Sequence, residues 1–597
     1  MTGSSSISKQ IDSLVQSYTD TQTKALVDPL TAKQKRYQSI SDGYDTLSTK
    51  LTTLKSTLSN MKLTGTDSIF ASKTASTSKS DFVDATATST ASASGYDIRV
   101  NQLAKSDVAV SPDQDSATAN AITGTHNFVI QGGDGKGGQF TSHVSVTFGS
   151  SETNQTVMDK VRDAINQNQA VVTSSSKTGT TSYAGGPSTF TIDLNGNTTD
   201  ISVTGGSTYD ALMNELVTNI NSAISGVTAE KVVNTPSAGD VALKLTVKDN
   251  SNYISITPKS GFDVVTDLGI GVTKEKSAAG VVTASVFNPT TTTSQISLTA
   301  TQTGLDYRIE NLSDSGPSTA LTAVGLNLGG ARPAFNQTTN PDTAGYIYSD
   351  ITTTNNQLNS NITFNGLDIQ RNSNSISDLA TGVTFNLKGV MQPTDTTVNI
   401  SVANDYKTVE TKINDFITKF NDVYTNIKNN SISSSTERGI FVGDSNASTL
   451  LNVFTSISYS QVSGISAGNL SYLSQLGISF DTMNGLSISD TSELEKKLKD
   501  TPDQVGAIFN SSSGIANTLY NTVTPYIGAG GYLSSSQSII NDSITTVKDR
   551  ITQVKSNIDK EASSLRDKYV QLQVQLSQLS LSQSFFQLNT GPTSLFG

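Results

Sequence analysis

Apolar residues at helical spacing mark the beginning of the chain. From Tyr37 to Met61 they recur in alternating steps of three and four, which is the a/d pattern of a coiled-coil helix. A shorter periodic segment precedes it. Asp28-Pro29 lies between the two segments, with Asp suited to an N-cap and Pro to the first helical position. The pattern therefore predicts two helices within residues 1–72.

The far end of the chain repeats this rhythm from Ile540 to Leu579, and a third heptad segment runs from Val409 to Ile427. Seams this narrow and long are rarely buried by one globular core. We therefore expect the N-terminal helices to fold against the C-terminal helix as a stem, with contact between copies of the chain. The expected stem seam consists of Ile7, Ile11, Leu14, Leu47, Leu51, Leu54, Leu58, Ile551, Val554 and Ile558.

The middle of the chain has the pattern of short strands. Between about 73 and 404, runs rich in Thr, Val and Ile alternate with Gly, Asn, Asp and Ser. Two predicted helices interrupt them, and each ends in Ile-Asn, at Ile165-Asn166 and at Ile220-Asn221. Each follows two strands and precedes another, at 171–173 in the first case, so the order predicts two related modules, at about 125–175 and 188–257. Chance similarity of Ser/Thr-rich β sequence is the alternative.

These patterns predict an α+β multidomain fold, in which terminal heptad helices form a coiled-coil or helical-bundle stem and β-rich head domains are inserted between them. The predicted division is 1–72 for the N-terminal stem helices, 73–118 and 345–404 for the two parts of a β-rich head domain, 119–344 for an outer head with both modules, 405–539 for a helical leg domain, and 540–597 for the C-terminal stem helix.

Composition narrows the classes of function. The chain of 597 residues has no Cys, no Trp, two His and a net charge of -11. Cysteine-dependent catalysis and cysteine-ligated metals are excluded, and the acidity argues against nucleic-acid binding. No apolar run is long enough to predict membrane insertion. The two ends are nearly neutral, at +2 for residues 1–72 and +1 for residues 540–586, which suits close packing in a polymer.

Each candidate catalytic or binding motif lacks a residue that its chemistry requires or has a simpler structural interpretation. The glycine loop 132–138 (GGDGKGG) lacks the Ser/Thr that follows Gly-Lys in a phosphate loop. The segment 195–200 (NGNTTD) resembles half a calcium loop without its closing acidic residue. His126 and His143 flank the glycine loop without an evident third metal ligand. Lys and Glu in 495–499 (EKKLK) fit a solvated helix face. We predict no catalytic, cofactor-binding or metal site.

Four stretches of the sequence resemble the bacterial flagellar cap protein family, also called hook-associated protein 2. They are 11–15 (IDSLV) with the helix after it; 70–75 (FASKTA) with 96–104 (YDIRVNQLA); 362–366 (ITFNG) with 387–389 (LKG) and the segment 398–424; and 439–444 (GIFVGD) with 476–478 (LGI), 485–488 (GLSI) and 498–509. Their order and spacing, over roughly 1–104 and 360–586, make the resemblance specific. The leucine- and glutamine-rich last helix and the long head depart from the family pattern.

The resemblance implies a ring-like homo-oligomer at the distal tip of the flagellar filament. It implies that flagellin folds and polymerises beneath this cap, that the cap prevents flagellin leakage, and that the hook–filament junction protein is a partner. It also implies secretion by the flagellar type III route without a cleaved signal peptide, aided by an export chaperone. For the chaperone contact we expect Leu565, Leu572, Leu576, Leu579, Phe585 and Phe586.

Two other classes of function remain open. A hook–filament junction or filament subunit of the same axial family fits helical ends and inserted modules equally well, and would assemble as an open helix rather than a closed ring. A surface adhesin would use the Ser/Thr-rich head to bind glycans in cell adhesion, and this role could coexist with capping. An enzyme is not expected.

Overall fold

The computed structural model describes residues 2–233, 236–336, 343–352, 356–433 and 438–589, with side chains from residue 7 to residue 587 within these ranges. The chain divides into two compact units. Unit 1 consists of Met1–Thr74, Thr88–Ala91 and Ala403–Gly597, and unit 2 of Ala75–Ala87 and Ser92–Val402. Unit 1 is mainly helical and unit 2 is mainly strand, which confirms the predicted α+β class.

The α-helices in the described residues are α1 Thr2–Gln22, α2 Asp28–Met61, α3 Asn154–Asn166, α4 Tyr209–Ala223, α5 Val264–Leu268, α6 Ala320–Ala323, α7 Tyr406–Asn430, α8 Ser445–Tyr459, α9 Thr491–Asp500, α10 Pro502–Asn510, α11 Ile515–Val523 and α12 Tyr532–Asn589. The long C-terminal helix thus begins at Tyr532, before the predicted start at Ile540, so the predicted boundary between 539 and 540 falls inside it.

The strands in the described residues are β1 Lys73–Thr77, β2 Val83–Ala87, β3 Ser94–Gln102, β4 Ser106–Val110, β5 Gln114–Asp115, β6 Gly124–Gly133, β7 Gln139–Phe148, β8 Val171–Thr173, β9 Lys177–Thr178, β10 Ser188–Leu194, β11 Asn197–Val203, β12 Val227–Val233, β13 Asp240–Val247, β14 Tyr253–Gly261, β15 Val272–Lys276, β16 Val282–Phe287, β17 Thr293–Thr303, β18 Ile309–Asp314, β19 Gly345–Tyr346, β20 Ser360–Phe364, β21 Leu367–Arg371, β22 Ser375–Ala380, β23 Val383–Leu387, β24 Val398–Asn404, β25 Ile478–Asp481 and β26 Gly485–Ile488.

The predicted interruption at Asp28-Pro29 is a π-helical turn and not a break between helices. Residues Thr23–Val27 form this turn, and Val27 keeps helical dihedral angles (φ -91°, ψ -44°). Pro29 has no N–H to donate to the carbonyl of Ala25, and a π-helical turn absorbs such a local mismatch while the helix continues. The prediction of an Asp28 side-chain N-cap was wrong, because no side-chain cap is formed at the start of α2.

Unit 2 consists of several sheets. One five-stranded sheet has the order β1-β24-β3-β20-β21, and the small sheet β2-β23-β22 accompanies it. The residues between β3 and β20 in the sequence form three further sheets. One has seven strands in the order β11-β10-β14-β15-β7-β6-β18, and the other two contain the strand orders β12-β13-β8 and β16-β17-β4-β19.

Two related modules are present in this region, and one is inserted into the other. Each has the order strand, strand, helix, strand, strand, strand: β6, β7, α3, β16, β17, β18 in the first, and β10, β11, α4, β12, β13, β14 in the second. In both, the last strand pairs antiparallel with the first, and the fourth pairs antiparallel with the fifth. The strand Val171–Thr173, predicted as the fourth element of the first module, pairs instead with β13 of the second.

The repeated Ile-Asn pair has the same role in each module. Ile165 and Ile220 are fully buried at the ends of their helices. The Asn166 side chain donates to the Ala284 carbonyl at 2.8 Å and accepts from the Ala284 N–H at 2.9 Å. Asn221 makes the same pair of bonds with Ala229, at 2.8 and 2.9 Å. A side-chain amide can satisfy both groups of one residue, so each asparagine fastens its helix to the strand that follows in the module.

Candidate functional site

The part of the predicted stem seam that lies on α2 belongs to the core of unit 1. Leu47, Leu51, Leu54 and Leu58 of α2 are fully buried in one cluster, which also contains the fully buried Ile413, Phe416 and Phe420 of α7. The heptad segment on α7 therefore covers the heptad segment on α2 within the same chain. We expected these four leucines to serve a stem formed with the C-terminal helix and to contribute to assembly. In the structure their side chains share a core with α7 and with the first turns of α12, which include the buried Leu533. Their contribution to assembly stays a prediction.

The first part of α12 joins α2 through polar contacts. The buried Ser41 hydroxyl donates to the Asn541 side chain at 3.0 Å, and the Gln537 side-chain amide donates to the Ser41 carbonyl at 3.3 Å. Gly43 follows at a close approach: a Cβ there would lie 2.3 Å from Ile440 Cδ1, so a larger residue would require the Ile440 side chain to shift. The predicted pairing of the N-terminal and C-terminal helices therefore begins at this point, close to the core of unit 1.

Farther from this core, α1 and α12 continue as an antiparallel pair. The Tyr18 hydroxyl donates to Glu561 at 2.5 Å, and Arg566 forms an ion pair with Asp12 at 2.9 Å. The hydrogen bond to the Glu561 carboxylate raises the pKa of Tyr18. The numbering falls on α1 as it rises on α12, which fixes the antiparallel register. Sequence periodicity places Tyr18 in line with Ile7, Ile11 and Leu14, but it could not find the polar partners of Tyr18 and Asp12 on α12.

Predicted seam residues on the α1–α12 pair are buried to very different degrees. Ile11 and Ile558 are buried, Ile551 and Val554 are half-buried, and Ile7 and Leu14 are 44% and 53% exposed. The pair therefore encloses part of its seam, whereas Ile7 and Leu14 remain open on the side where a further helix could pack.

An apolar groove lies between the two helices at this end. Its volume is about 390 Å³, and its apolar lining consists of Ile7, Ile11, Leu14, Tyr569, Leu572 and Leu576, with Gln and Ser at its edges. Leu572 and Leu576 are still 49% and 57% exposed. A groove of this composition fits the apolar face of an additional helix and has no arrangement of polar groups that would bind a small polar ligand.

The six residues predicted for the export-chaperone contact fall into two groups. Leu572 and Leu576 line the groove with α1, and Leu565 is half-buried about two to three turns before them. Leu579, Phe585 and Phe586 follow on the same helix and are 59%, 74% and 74% exposed. A partner that used the first group would compete with α1, whereas the second group is accessible. The chaperone contact itself stays a prediction.

The motifs set aside in the sequence have structural roles in unit 2. In the glycine loop, Asp134 accepts hydrogen bonds from the backbone N–H groups of Lys136 and Gly138 at 2.8 Å each and forms an ion pair with Lys274. His126 accepts from the Thr319 N–H, and His143 Nδ1 lies 2.9 Å from Glu275. The two histidines therefore have different partners.

Metal-binding groups and membrane-spanning helices were also sought in the described ranges. Within them, no group of three His, Asp or Glu side chains is arranged to hold a metal ion. None of the helices that the structure describes combines the length and apolar character needed to cross a membrane.

The fold defines a class of proteins whose two chain ends pair as long helices, with β-rich segments inserted between them in the sequence. Comparison with known families identifies the class more closely. Residues 8–107 match the model of the flagellar hook-associated protein 2 N-terminus, and residues 358–580 match that of its C-terminus. Together the two ranges make up more than half of the chain. The chain belongs to the flagellar hook-associated protein 2 family.

Individual relatives match parts of the chain. The B-type flagellar hook-associated protein 2 of Pseudomonas aeruginosa is 23% identical over 350 residues, which cover 57% of this chain and 69% of the relative. The A-type protein of Pseudomonas aeruginosa is 28% identical over 192 residues, covering 31% of this chain and 39% of the relative. The chain thus matches well under half the length of the A-type protein.

The structure of the flagellar cap protein FliD D1-D2-D3 domains from Escherichia coli is also similar. It has a TM-score of 0.46 and 19% identity, and the match covers 83% of this chain and 99% of that one. Residues 108–357, which contain both modules, lie between the two ranges that the family models match.

Proposed function

We propose that this protein caps the flagellar filament. Copies of the chain would form a ring-like homo-oligomer at the distal tip, where exported flagellin folds and polymerises beneath them and is kept from leaking away. The observation that carries the proposal is the family match at both ends of the chain, together with the antiparallel α1–α12 pair whose apolar groove is open.

The physical basis is exchange of helix partners without bond chemistry. The groove between Ile7, Leu14, Leu572 and Leu576 leaves apolar surface in water, and covering it with another helix contributes about 25 cal/mol for each Å² removed from water. Each such contact is modest, so a neighbouring subunit can be replaced as the filament grows. The core around Leu47–Leu58 stays closed meanwhile, because its partners belong to the same chain.

The proposal includes the partners and the route. Besides self-association, the partners are flagellin, the hook–filament junction protein beneath the cap, and an export chaperone that binds α12. The protein would be secreted through the flagellar type III channel and would remain at the filament tip. The half-open helical pair supports a chaperone step, because exposed leucines such as Leu576 and Leu579 need a cover before assembly.

Deletion of the gene tests the proposal. We expect cells without it to shed soluble flagellin into the medium and to carry bare hooks, and expression of the full chain to restore filaments. Filaments of normal length in the deletion strain would contradict capping.

Electron microscopy of the purified protein separates the two forms of axial assembly. Small closed rings are expected for a cap. Open filaments would favour a junction or filament subunit instead.

A further inference from the structure

A small cavity in unit 2 lies against the last residue of β15. Its volume is about 60 Å³, and its lining includes the side chains of Lys276, Phe140 and Tyr307, with the exposed Gln302 at its edge. A single water needs roughly 10–15 Å³ of such space, so the cavity has room for a chemical group of a few non-hydrogen atoms.

The ammonium group of Lys276 has a defined position at this cavity. Its Nζ lies 4.3 Å from the centroid of the Phe140 ring, which is a cation–π contact. The lysine stem passes close to Gly280, where a Cβ would lie 2.8 Å from Lys276 Cε. The glycine therefore leaves room for the stem, and the ring fixes the charged end. A side chain that is already held in place loses little freedom when it binds a ligand.

The two lysines of β15 differ in their partners. Lys274 forms an ion pair with Asp134, whose side chain is 2% exposed. Lys276 forms no ion pair with a carboxylate in the part of the chain that the structure describes. Burial lowers the pKa of the Lys276 ammonium, and the attraction of the exposed Asp249 offsets only part of that effect. An anion that binds beside a partly desolvated cation stabilises its charged form.

We propose that this cavity binds the carboxylate group of a small organic acid, with Lys276 as the counterion. The carboxylate would accept hydrogen bonds from the ammonium group, and no covalent bond would form. The site lies in the inserted region and goes beyond the proposed capping function, which does not depend on it.

The charge and the walls of the cavity favour a carboxylate over a phosphate. Lys276 supplies one positive charge, which balances a carboxylate, whereas a phosphate monoester carries about -1.5 to -2 at pH 7. Lys274 does not supply a second charge, because Asp134 already neutralises it. The rings of Phe140 and Tyr307 offer apolar surface to the carbon part of an organic acid.

Saturation-transfer difference NMR on the full chain tests the site with acetate and its uncharged isostere acetamide. We expect at least about threefold stronger transfer to acetate, because only acetate pairs with the ammonium group. Lys276→Gln should abolish this preference. The matched control Lys136→Gln removes the same charge from an exposed position in the glycine loop and should leave the preference unchanged.

Competition in the unaltered protein gives a second test that does not depend on the folding of a variant. Propionate should displace acetate, and inorganic phosphate should do so at least about threefold less effectively at equal concentration. Glucuronate, with glucose as its uncharged control, distinguishes the source of the carboxylate. Displacement by glucuronate alone of these two would support an acid carried on a sugar ring, and displacement by neither would support a free small acid.

Three results would overturn the proposal. They are equal transfer to acetate and acetamide in the unaltered protein, equal displacement by phosphate and propionate, and an acetate preference that persists in a folded Lys276→Gln protein. None of them bears on capping, which the deletion strain tests separately.

Discussion

Tyr18 and Glu561 are 543 positions apart in the sequence and are joined by a hydrogen bond of 2.5 Å. With the ion pair between Asp12 and Arg566, this bond places the beginning of the chain along its last helix. The bond and the ion pair are both exposed, so they add little to stability. Their significance is the register, because they set Ile7, Ile11 and Leu14 against Tyr569, Leu572 and Leu576.

The register of α1 on α12 predicts a specific cross-link. In a variant with Asp12→Cys and Arg566→Cys, a short bis-maleimide should join the two helices within one molecule, because the native side chains meet at 2.9 Å. The matched control replaces Asp12→Cys by Lys35→Cys, a position 23 residues farther along the N-terminal helices. Electrophoresis of the denatured products reports the link. Equal yields for the two variants would show that the pair does not hold this register.

The buried α2 seam predicts a large loss of stability on truncation. Leu51→Ala should lower the free energy of unfolding by about 2–5 kcal/mol, since it removes a fully buried side chain beside α7. Thr53→Ala, on the exposed side of the same helix, should change it by less than about 0.5 kcal/mol. Urea unfolding followed by helical circular dichroism measures both. If Leu51→Ala were as mild as the control, the heptad would not be an intramolecular seam.

A buried ion pair in unit 2 predicts that its loss lowers stability more than the loss of an exposed ion pair. Asp107 is fully buried and pairs with Arg332, which is 14% exposed and also donates to the Tyr348 carbonyl at 2.8 Å. Arg332→Gln leaves Asp107 buried without its cation and should cost about 3–5 kcal/mol. Arg371→Gln breaks an exposed pair with Asp378 and should cost about 0–1 kcal/mol. Similar midpoints of unfolding for the two variants would refute the distinction.

The contact of His143 with Glu275 predicts a pH dependence. The hydrogen bond that the His143 imidazole donates to the Glu275 carboxylate raises the pKa of His143 above its ordinary value of 6.5. A raised pKa in the folded state means that the contribution is complete below pH 6.5 and declines as pH rises through the folded value. His143→Gln should therefore lower Tm more at pH 6 than at pH 8.5. The effect is small, because the imidazole is 62% exposed. An equal difference at both pH values would contradict the linkage.

The sequence predicted the helices better than their partners. The a/d spacing from Leu47 to Leu58 identified a buried seam, because burial of a helix face requires that spacing. It did not reveal whether α7 or α12 covers the seam, because any apolar stripe of matching period can do so. The sequence likewise could not predict that the groove at Leu572 is half-open, because apolar spacing does not show how many helices pack against one face.

In unit 2 the repeated Ile-Asn indicated two modules, but not their nesting. Asn221 bonds to Ala229 only eight positions later, whereas Asn166 bonds to Ala284 across 118 positions. Local sequence order therefore suggested Val171–Thr173 as the strand that follows the helix of the first module. The strand that fills this place, β16, lies beyond the whole inserted module, and strand pairing at that distance leaves no local signal.

The position of the protein on the flagellum tests the capping account most directly. Because the chain contains no cysteine, Thr198→Cys, at an exposed position near the start of β11, provides one site for a maleimide dye, with the parent strain as the background control. We predict a single fluorescent spot at the distal end of each filament. Label spread along the filament, or confined to its base, would contradict a cap and identify a filament or junction subunit.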